Sequence, residues 1–93
     1  MVVGLLNIKI VVRDSRSLKD KRQVIKSLKD KTRQRYNVSI SEVGAQDNHK
    51  QCLLAVAMVG NEKRYVNSVL STLVNSFRLF PGVELVDYEL DFI

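Results

Sequence analysis

The spacing of apolar positions changes along this chain, and each change predicts a new element. Residues 2–13 are aliphatic and β-branched, and they alternate between two faces, which predicts a strand. Residues 18–36 repeat at a helical period, with Ser17 placed as the N-cap and Asp20 completing a weak capping box. The chain therefore begins with a strand and an amphipathic helix.

The middle of the chain predicts two further strands. In residues 37–46 apolar residues alternate with serines, and a loss of phase indicates a bulge near Ser41 and Glu42. Residues 51–59 are apolar at odd and even positions alike, which is typical of a strand buried on both faces.

The last third predicts a helix and a strand. Asn61 is placed to cap a helix whose apolar residues recur every three or four positions: Val66, Leu70, Leu73, Phe77 and Phe80. Pro81 and Gly82 end this helix. In the strand 83–93, Val86, Tyr88, Leu90 and Phe92 are expected to face inward, and Asp87, Glu89 and Asp91 outward.

The predicted order β-α-β-β-α-β indicates a single α+β domain over residues 1–93, the ferredoxin-like plait. In this fold a four-stranded antiparallel sheet has both helices on one face, with the first and third strands at its centre. The apolar third strand predicts an uncovered apolar surface on the other face. A homodimer formed through that face would cover it; the alternative is a monomer with an apolar sheet.

Composition excludes several classes of protein. The 93 residues are 45% apolar, and one cysteine allows neither an internal disulfide framework nor a multi-cysteine zinc site. No apolar run is long enough to cross a bilayer, so we expect no membrane association. No secretory leader precedes the first strand, which favours a soluble, cytoplasmic protein.

The net charge of +5 is unevenly distributed. Residues 13–35 hold ten basic and three acidic residues, whereas the C-terminal strand is acidic. Five cations at helical spacing fall within an arc of about 80° on the first helix. We call this set the basic ridge: Lys19, Arg22, Lys26, Lys29 and Arg33.

Cations in the first turn oppose the helix dipole, which favours an anion docked there. Lys19, Lys21 and Arg22 lie at this end, and Lys21 is expected to rest its stem on the core while its ammonium reaches water. The Ser17 hydroxyl, the Arg16 guanidinium and the free backbone N–H groups are candidate phosphate ligands. Further phosphates would follow the ridge, as in sequence-independent RNA binding. The alternative is a solvated face that binds nothing.

The sequence also restricts how RNA could bind. The two central strands have no aromatic residues for stacking bases, no GxxG loop is present, and the outward side of the last strand is acidic. RNA binding would therefore use the first helix.

No catalytic constellation stands out, and we expect a non-enzymatic protein without metal or cofactor. His49 is the one histidine, in a turn with Asp47, and is expected to be exposed. Cys52 is expected to be a buried, unreactive thiol. Glu42 suits a partly buried carboxylate or a partner for a lysine. The turn 14–17 lacks the glycines of acylphosphatases, which excludes that small plait enzyme.

Several motifs resemble the bacterial YlxP-like family, a domain family of unknown function. They are MVVG at residues 1–4, RSLKDKR at 16–22, NVS at 37–39, EV at 42–43, QD at 46–47 and GVELVDYE at 82–89. The resemblance covers the whole chain and implies the same plait. Its members often have tryptophan at the position of His49, and their genes often lie near those for transcription-elongation, translation-initiation and ribosome-maturation factors. A role linked to RNA or the ribosome is implied by that association.

Two hypotheses follow. The first is a non-enzymatic accessory module that binds structured RNA or the ribosome through the basic ridge. The second is a dimeric regulatory or scaffolding domain that binds a small ligand or a partner protein between its subunits.

Overall fold

The computed structural model describes residues 1–93 as six elements in the expected order. They are β1 (Val2–Val12), α1 (Leu18–Arg35), β2 (Ser39–Gly44), β3 (Gln51–Gly60), α2 (Lys63–Arg78) and β4 (Val83–Phe92). The four strands form one antiparallel sheet in the order β2-β3-β1-β4, so β1 and β3 are central. This arrangement confirms the ferredoxin-like plait.

One face of the sheet packs against both helices. Alternate residues of β1 and β3 join apolar residues of α1 and α2 in one buried cluster, which includes Leu6, Ile8, Leu54, Ile25 and Phe77. The alternation predicted for β1 is therefore correct. Burying aliphatic side chains stabilises a fold by about 1.5–3 kcal/mol each, so this cluster is what fixes α1 against the sheet.

The opposite face of the sheet has no cover within the chain. Leu53 is 38% exposed and Val59 is 63% exposed, while Cys52, Leu54 and Val56 on the same strand are buried. The apolar run in β3 is thus buried on one side only in a single chain, whereas the sequence predicted burial on both.

Two β-bulges change which side chains face the core. The register of β2 against β3 shifts between Glu42 and Gly44, one residue beyond the expected position. The register of β1 against β4 shifts between Lys9 and Ile10, so that Lys9 pairs with Asp87 and Ile10 with Leu85. Val86 is extruded and 50% exposed, and the prediction that it faces inward is wrong.

The two helices differ at their N-termini. The Ser17 hydroxyl accepts a hydrogen bond from the Asp20 amide and caps α1 as expected. The N-cap of α2 is Glu62, which makes no side-chain capping bond, so the assignment of Asn61 was one residue early. Neither helix has the length and apolar character that a bilayer crossing requires.

Candidate nucleic-acid interface

Most of the basic ridge surrounds one surface depression between α1 and β2. Four ridge residues line it together with Ile25, Asp30 and Glu42: Arg22, Lys26, Lys29 and Arg33. Lys19 is exposed one turn nearer the N-terminus of α1 and lies outside the lining. The helical spacing therefore brings four of the five ridge cations onto one surface.

One carboxylate opposes these four cations. Lys26 Nζ lies 3.1 Å from Asp30 Oδ2, and Arg33 Nη1 lies 3.7 Å from Asp30 Oδ1. Exposed pairs of this kind are worth about 0.2–1 kcal/mol, so a phosphate can displace them. Glu42, the other acid in the lining, is neutralised by a buried lysine described below.

The ridge cations differ in how freely they can move. Arg33 Nη2 donates a hydrogen bond of 2.9 Å to the carbonyl of Ile40, which fixes this guanidinium against β2. Lys19, Arg22 and Lys29 make no ion pair and no side-chain hydrogen bond within the chain. These three side chains are the ones available to an external anion.

Lys21 does not belong to this surface. Its side chain is 2% exposed, and its ammonium does not reach water as expected. Nζ donates to the carbonyls of Ala45 and Asn48 at 2.7 and 2.8 Å and lies 2.9 Å from Glu42 Oε2. All three donors of the ammonium are used, so Lys21 is removed from the candidate anion ligands.

A small polar cluster forms around this lysine. Glu42 Oε2 also accepts a hydrogen bond of 3.3 Å from the thiol of Cys52 on β3. Burial of that thiol, and then its hydrogen bond and charge repulsion with Glu42, raise the pKa of Cys52 to about 12. The thiol therefore stays protonated at neutral pH and is a poor nucleophile.

The start of α1 is partly occupied by the chain's own groups. Ser17 Oγ binds the Asp20 amide, and Asp20 Oδ2 accepts a hydrogen bond from the backbone N–H of Arg16 at 3.1 Å. A phosphate at this end would meet the Asp20 carboxylate. Ser17 is thus a helix cap and we remove it from the candidate ligands, while the exposed Arg16 side chain remains.

The uncovered sheet face is acidic along one edge. Glu84, Asp87, Glu89 and Asp91 on β4 pair with Val11, Lys9, Asn7 and Leu5 on β1. None of these residues of β1 is aromatic, and neither is any exposed residue of β3. Such a surface repels phosphate and offers no ring for a base, which leaves α1 as the cationic surface.

The turn that holds His49 contains no assembled catalytic group. His49 is exposed and forms no ion pair. Asn48 instead organises the turn, because its Oδ1 accepts hydrogen bonds from the amides of Lys50 and Gln51. No three His, Cys, Asp or Glu residues lie close enough together to hold a metal ion.

Sequence reasoning missed a second cationic cluster at the other end of α1. Lys31 and Arg35 lie over the rings of Phe80 and Tyr36, beside a cavity between the two helices. The i, i+4 spacing of the two cations ahead of Tyr36 was a signal that could have found them.

Comparisons with known proteins identify relatives without an assigned activity. The family model described as "Protein of unknown function (DUF503)" matches residues 3–90. The chain is 29% identical over 83 residues to the "Uncharacterized protein YlxP" of Bacillus subtilis (strain 168), a match that covers 89% of this chain and 90% of the relative. The de novo designed protein Foldit4 is similar in fold alone, with a TM-score of 0.55 at 12% identity over 100% of this chain and 97% of the design.

Proposed function

The chain belongs to the DUF503 family, as its YlxP-like motifs implied, and from its geometry we propose that it is a non-enzymatic module that binds the phosphate backbone of structured RNA. We propose that this RNA includes ribosomal RNA and that the protein acts in the cytoplasm. The single observation that supports this proposal most is the clustering of Arg22, Lys26, Lys29 and Arg33 around one depression with one opposing carboxylate.

The shape of the surface suits a duplex better than a loop of unstacked bases. The depression runs between the side of α1 and β2, and its lining has cations but no aromatic ring. Recognition of double-stranded RNA depends mainly on shape and on phosphate and 2′-OH contacts, which such a lining can supply. We therefore expect affinity with little sequence preference.

The acidic charges elsewhere on the molecule also favour docking of RNA on α1. The acidic edge formed by Glu84, Asp87, Glu89 and Asp91 faces away from the helices. A polyanion approaching the molecule is repelled there and attracted to α1, so the field selects one docking face.

The test is a titration of a fluorescent RNA hairpin at several KCl concentrations. The variant R22Q/K26Q/K29Q removes three ridge cations, and K50Q/K63Q/R64Q removes three cations outside the ridge, so the two proteins have the same net charge. We expect the ridge variant to bind at least tenfold more weakly, with the slope of log K against log salt reduced by about 2–3. The control should bind nearly as well as the wild type.

Equal losses in the two variants would refute the proposal, since they would mean that net charge alone attracts the RNA. The same pair of proteins can be compared by copurification from cells. Ribosomal subunits or RNA should be recovered with the control and the wild type and be depleted with the ridge variant.

A second candidate function is a dimeric regulatory or scaffolding domain, and the uncovered sheet face favours it. Leu53, Val59 and Val43 are exposed on the side of the sheet away from the helices. A second copy docked there would cover this apolar strip. A depression beside Asn7, Leu53 and Glu89 would then become an enclosed site for a small ligand between the subunits.

Sedimentation analysis tests this second candidate. The wild type should form a dimer that L53K/V59K converts to a monomer without loss of helix content. A wild-type protein that stays monomeric at the highest soluble concentration would refute it.

A further inference from the structure

A cavity between the C-terminal halves of α1 and α2 belongs neither to the basic ridge nor to the sheet face. Its volume is about 310 Å³, and it is lined by Leu28, Lys31, Thr32, Gln34, Arg35 and Tyr36 from the α1 side and by Ser76 and Phe80 from the α2 side. This volume lies at the lower end of the range for small-molecule sites. By helical position, Lys31 and Arg35 occupy the shoulder of α1 opposite to the ridge.

Two cations are held at the mouth of the cavity by aromatic faces. Lys31 Nζ lies 5.2 Å from the centroid of the Phe80 ring, and Arg35 Cζ lies 5.6 Å from that of Tyr36. Neither cation takes part in any ion pair of the chain. The rings position both charges by cation–π attraction and leave them free to bind an anion.

Three residues that line the cavity carry hydroxyl groups, and one of these hydroxyls lacks a partner. The hydroxyl of Tyr36 is buried without any hydrogen-bond partner. The Thr32 hydroxyl donates a hydrogen bond to the Leu28 carbonyl, and the Ser76 hydroxyl donates one to the Leu73 carbonyl. Each of these oxygens can therefore only accept a further hydrogen bond. A ligand that fits must therefore bring N–H donors to these two oxygens and a partner for Tyr36.

The α1 dipole and the two cations favour different chemical groups at the two ends of such a ligand. The C-terminal end of a helix is negative and disfavours an anion deep between the helices, whereas the two cations attract one at the mouth. The ligand is thus uncharged and rich in N–H groups at one end and anionic at the other. A nucleobase with an exocyclic amino group, linked to a phosphate, meets all of these conditions.

We propose that this cavity binds one nucleotide, with an amino-bearing base between the helices and its phosphate on Lys31 and Arg35. The nucleotide is either free or a single unit of an RNA strand. Because the cavity and the ridge lie on opposite shoulders of α1, this proposal does not depend on the function proposed above.

The test is an NMR titration of the full chain with adenosine 5′-monophosphate, adenosine, inorganic phosphate and a short oligoadenylate. We expect saturable shifts at Tyr36, Ser76 and Phe80 with the monophosphate, and at least tenfold weaker binding by the nucleoside and by phosphate. Comparison of the mononucleotide with the oligoadenylate, both bound to R22Q/K26Q/K29Q so that the ridge does not contribute, then identifies the source, since the tighter of the two is the natural form of the ligand.

The variant K31Q/R35Q changes only exposed side chains of the cavity, and K63Q/R64Q, at two exposed positions of α2 outside both the cavity and the ridge, is its matched control. We expect the first to weaken nucleotide binding at least tenfold and the second to leave it unchanged. Y36F should weaken binding while the unliganded protein melts no earlier than the wild type, because the lost hydroxyl had no partner.

Three outcomes would overturn the proposal: no shifts with either the mononucleotide or the oligoadenylate, phosphate binding as tightly as the nucleotide, or equal losses in the two charge variants. None of these bears on hairpin binding by the ridge, which R22Q/K26Q/K29Q tests separately.

Discussion

The Nζ atom of Lys21 on α1 lies 2.9 Å from the Oε2 atom of Glu42 on β2; the lysine is almost fully enclosed and the glutamate is 19% exposed. The same ammonium binds the carbonyls of Ala45 and Asn48, so one lysine joins α1, β2 and the turn between β2 and β3. Burial of a charge is tolerated only when its donors are all paired, as they are here.

Replacement of Lys21 by methionine should destabilise the protein by about 3 kcal/mol, the lower end of the range for buried pairs, because the partly buried Glu42 would lose its counter-charge. K29M is the control on the same helix, since Lys29 makes no ion pair, and it should cost less than about 0.5 kcal/mol. Urea unfolding measures both values. Hydrogen exchange should also show faster opening of the turn 45–50 in K21M alone.

The double variant K21M/E42Q distinguishes the contribution of the ion pair to stability from that of side-chain packing. Removal of both charges should restore at least about 1 kcal/mol relative to the sum of the single variants, because neither partner is left as an unpaired buried charge. If the two single losses add without coupling, the pair does not stabilise the fold in the way that its geometry indicates.

Alkaline pH should destabilise the protein through Cys52. Its pKa is raised from 9.0 to about 12 in the folded state, so its contribution to stability is fully present below pH 9 and is lost as the pH rises towards 12. Between pH 8 and pH 10 the wild type should lose about 1.4 kcal/mol more than C52A. Urea unfolding of both proteins at the two pH values gives this difference, in which the effects of other titrating groups cancel. Parallel losses in the two proteins would contradict the assignment.

Two residues with positive φ should respond to substitution in opposite directions. Gly82 has a φ of 79°, and G82A should cost about 1–2 kcal/mol because a Cβ is strained in this region even though the surrounding space is open. Ala45 has a φ of 59°, so A45G should stabilise the protein by about 0.5–1 kcal/mol. Thermal unfolding of both variants checks the two signs, and shifts in the same direction would argue against backbone strain.

The elements and their order could be predicted from the sequence because each has a clear period. The alternation of Leu6, Ile8, Ile10 and Val12 and the helical repeat after Val66 arise from the same burial that the structure shows. Val86 could not be placed in this way. A strand pattern assumes strict alternation, and the bulge that extrudes Val86 depends on how β4 pairs with β1.

The candidate site could be predicted only in part, for a similar reason. The spacing of Arg22, Lys26 and Lys29 fixes their common surface, because helix geometry alone decides it. The fate of Lys21 depends on residues far along the chain, namely Glu42 and the turn carbonyls of Ala45 and Asn48. One sign was present in the sequence: Lys21 falls within the apolar arc of α1, where a cation needs buried partners.

Because Cys52 is the one cysteine and is buried, its rate of chemical labelling can report transient opening of the protein. Cys52 has no exposed surface, and its thiol is held by Glu42 in the middle of the cluster that joins α1 to the sheet. A thiol reagent can therefore reach the sulfur only after the helix layer has parted from the strands. With no second cysteine to compete, the rate at which a thiol reagent labels the protein should count these opening events directly.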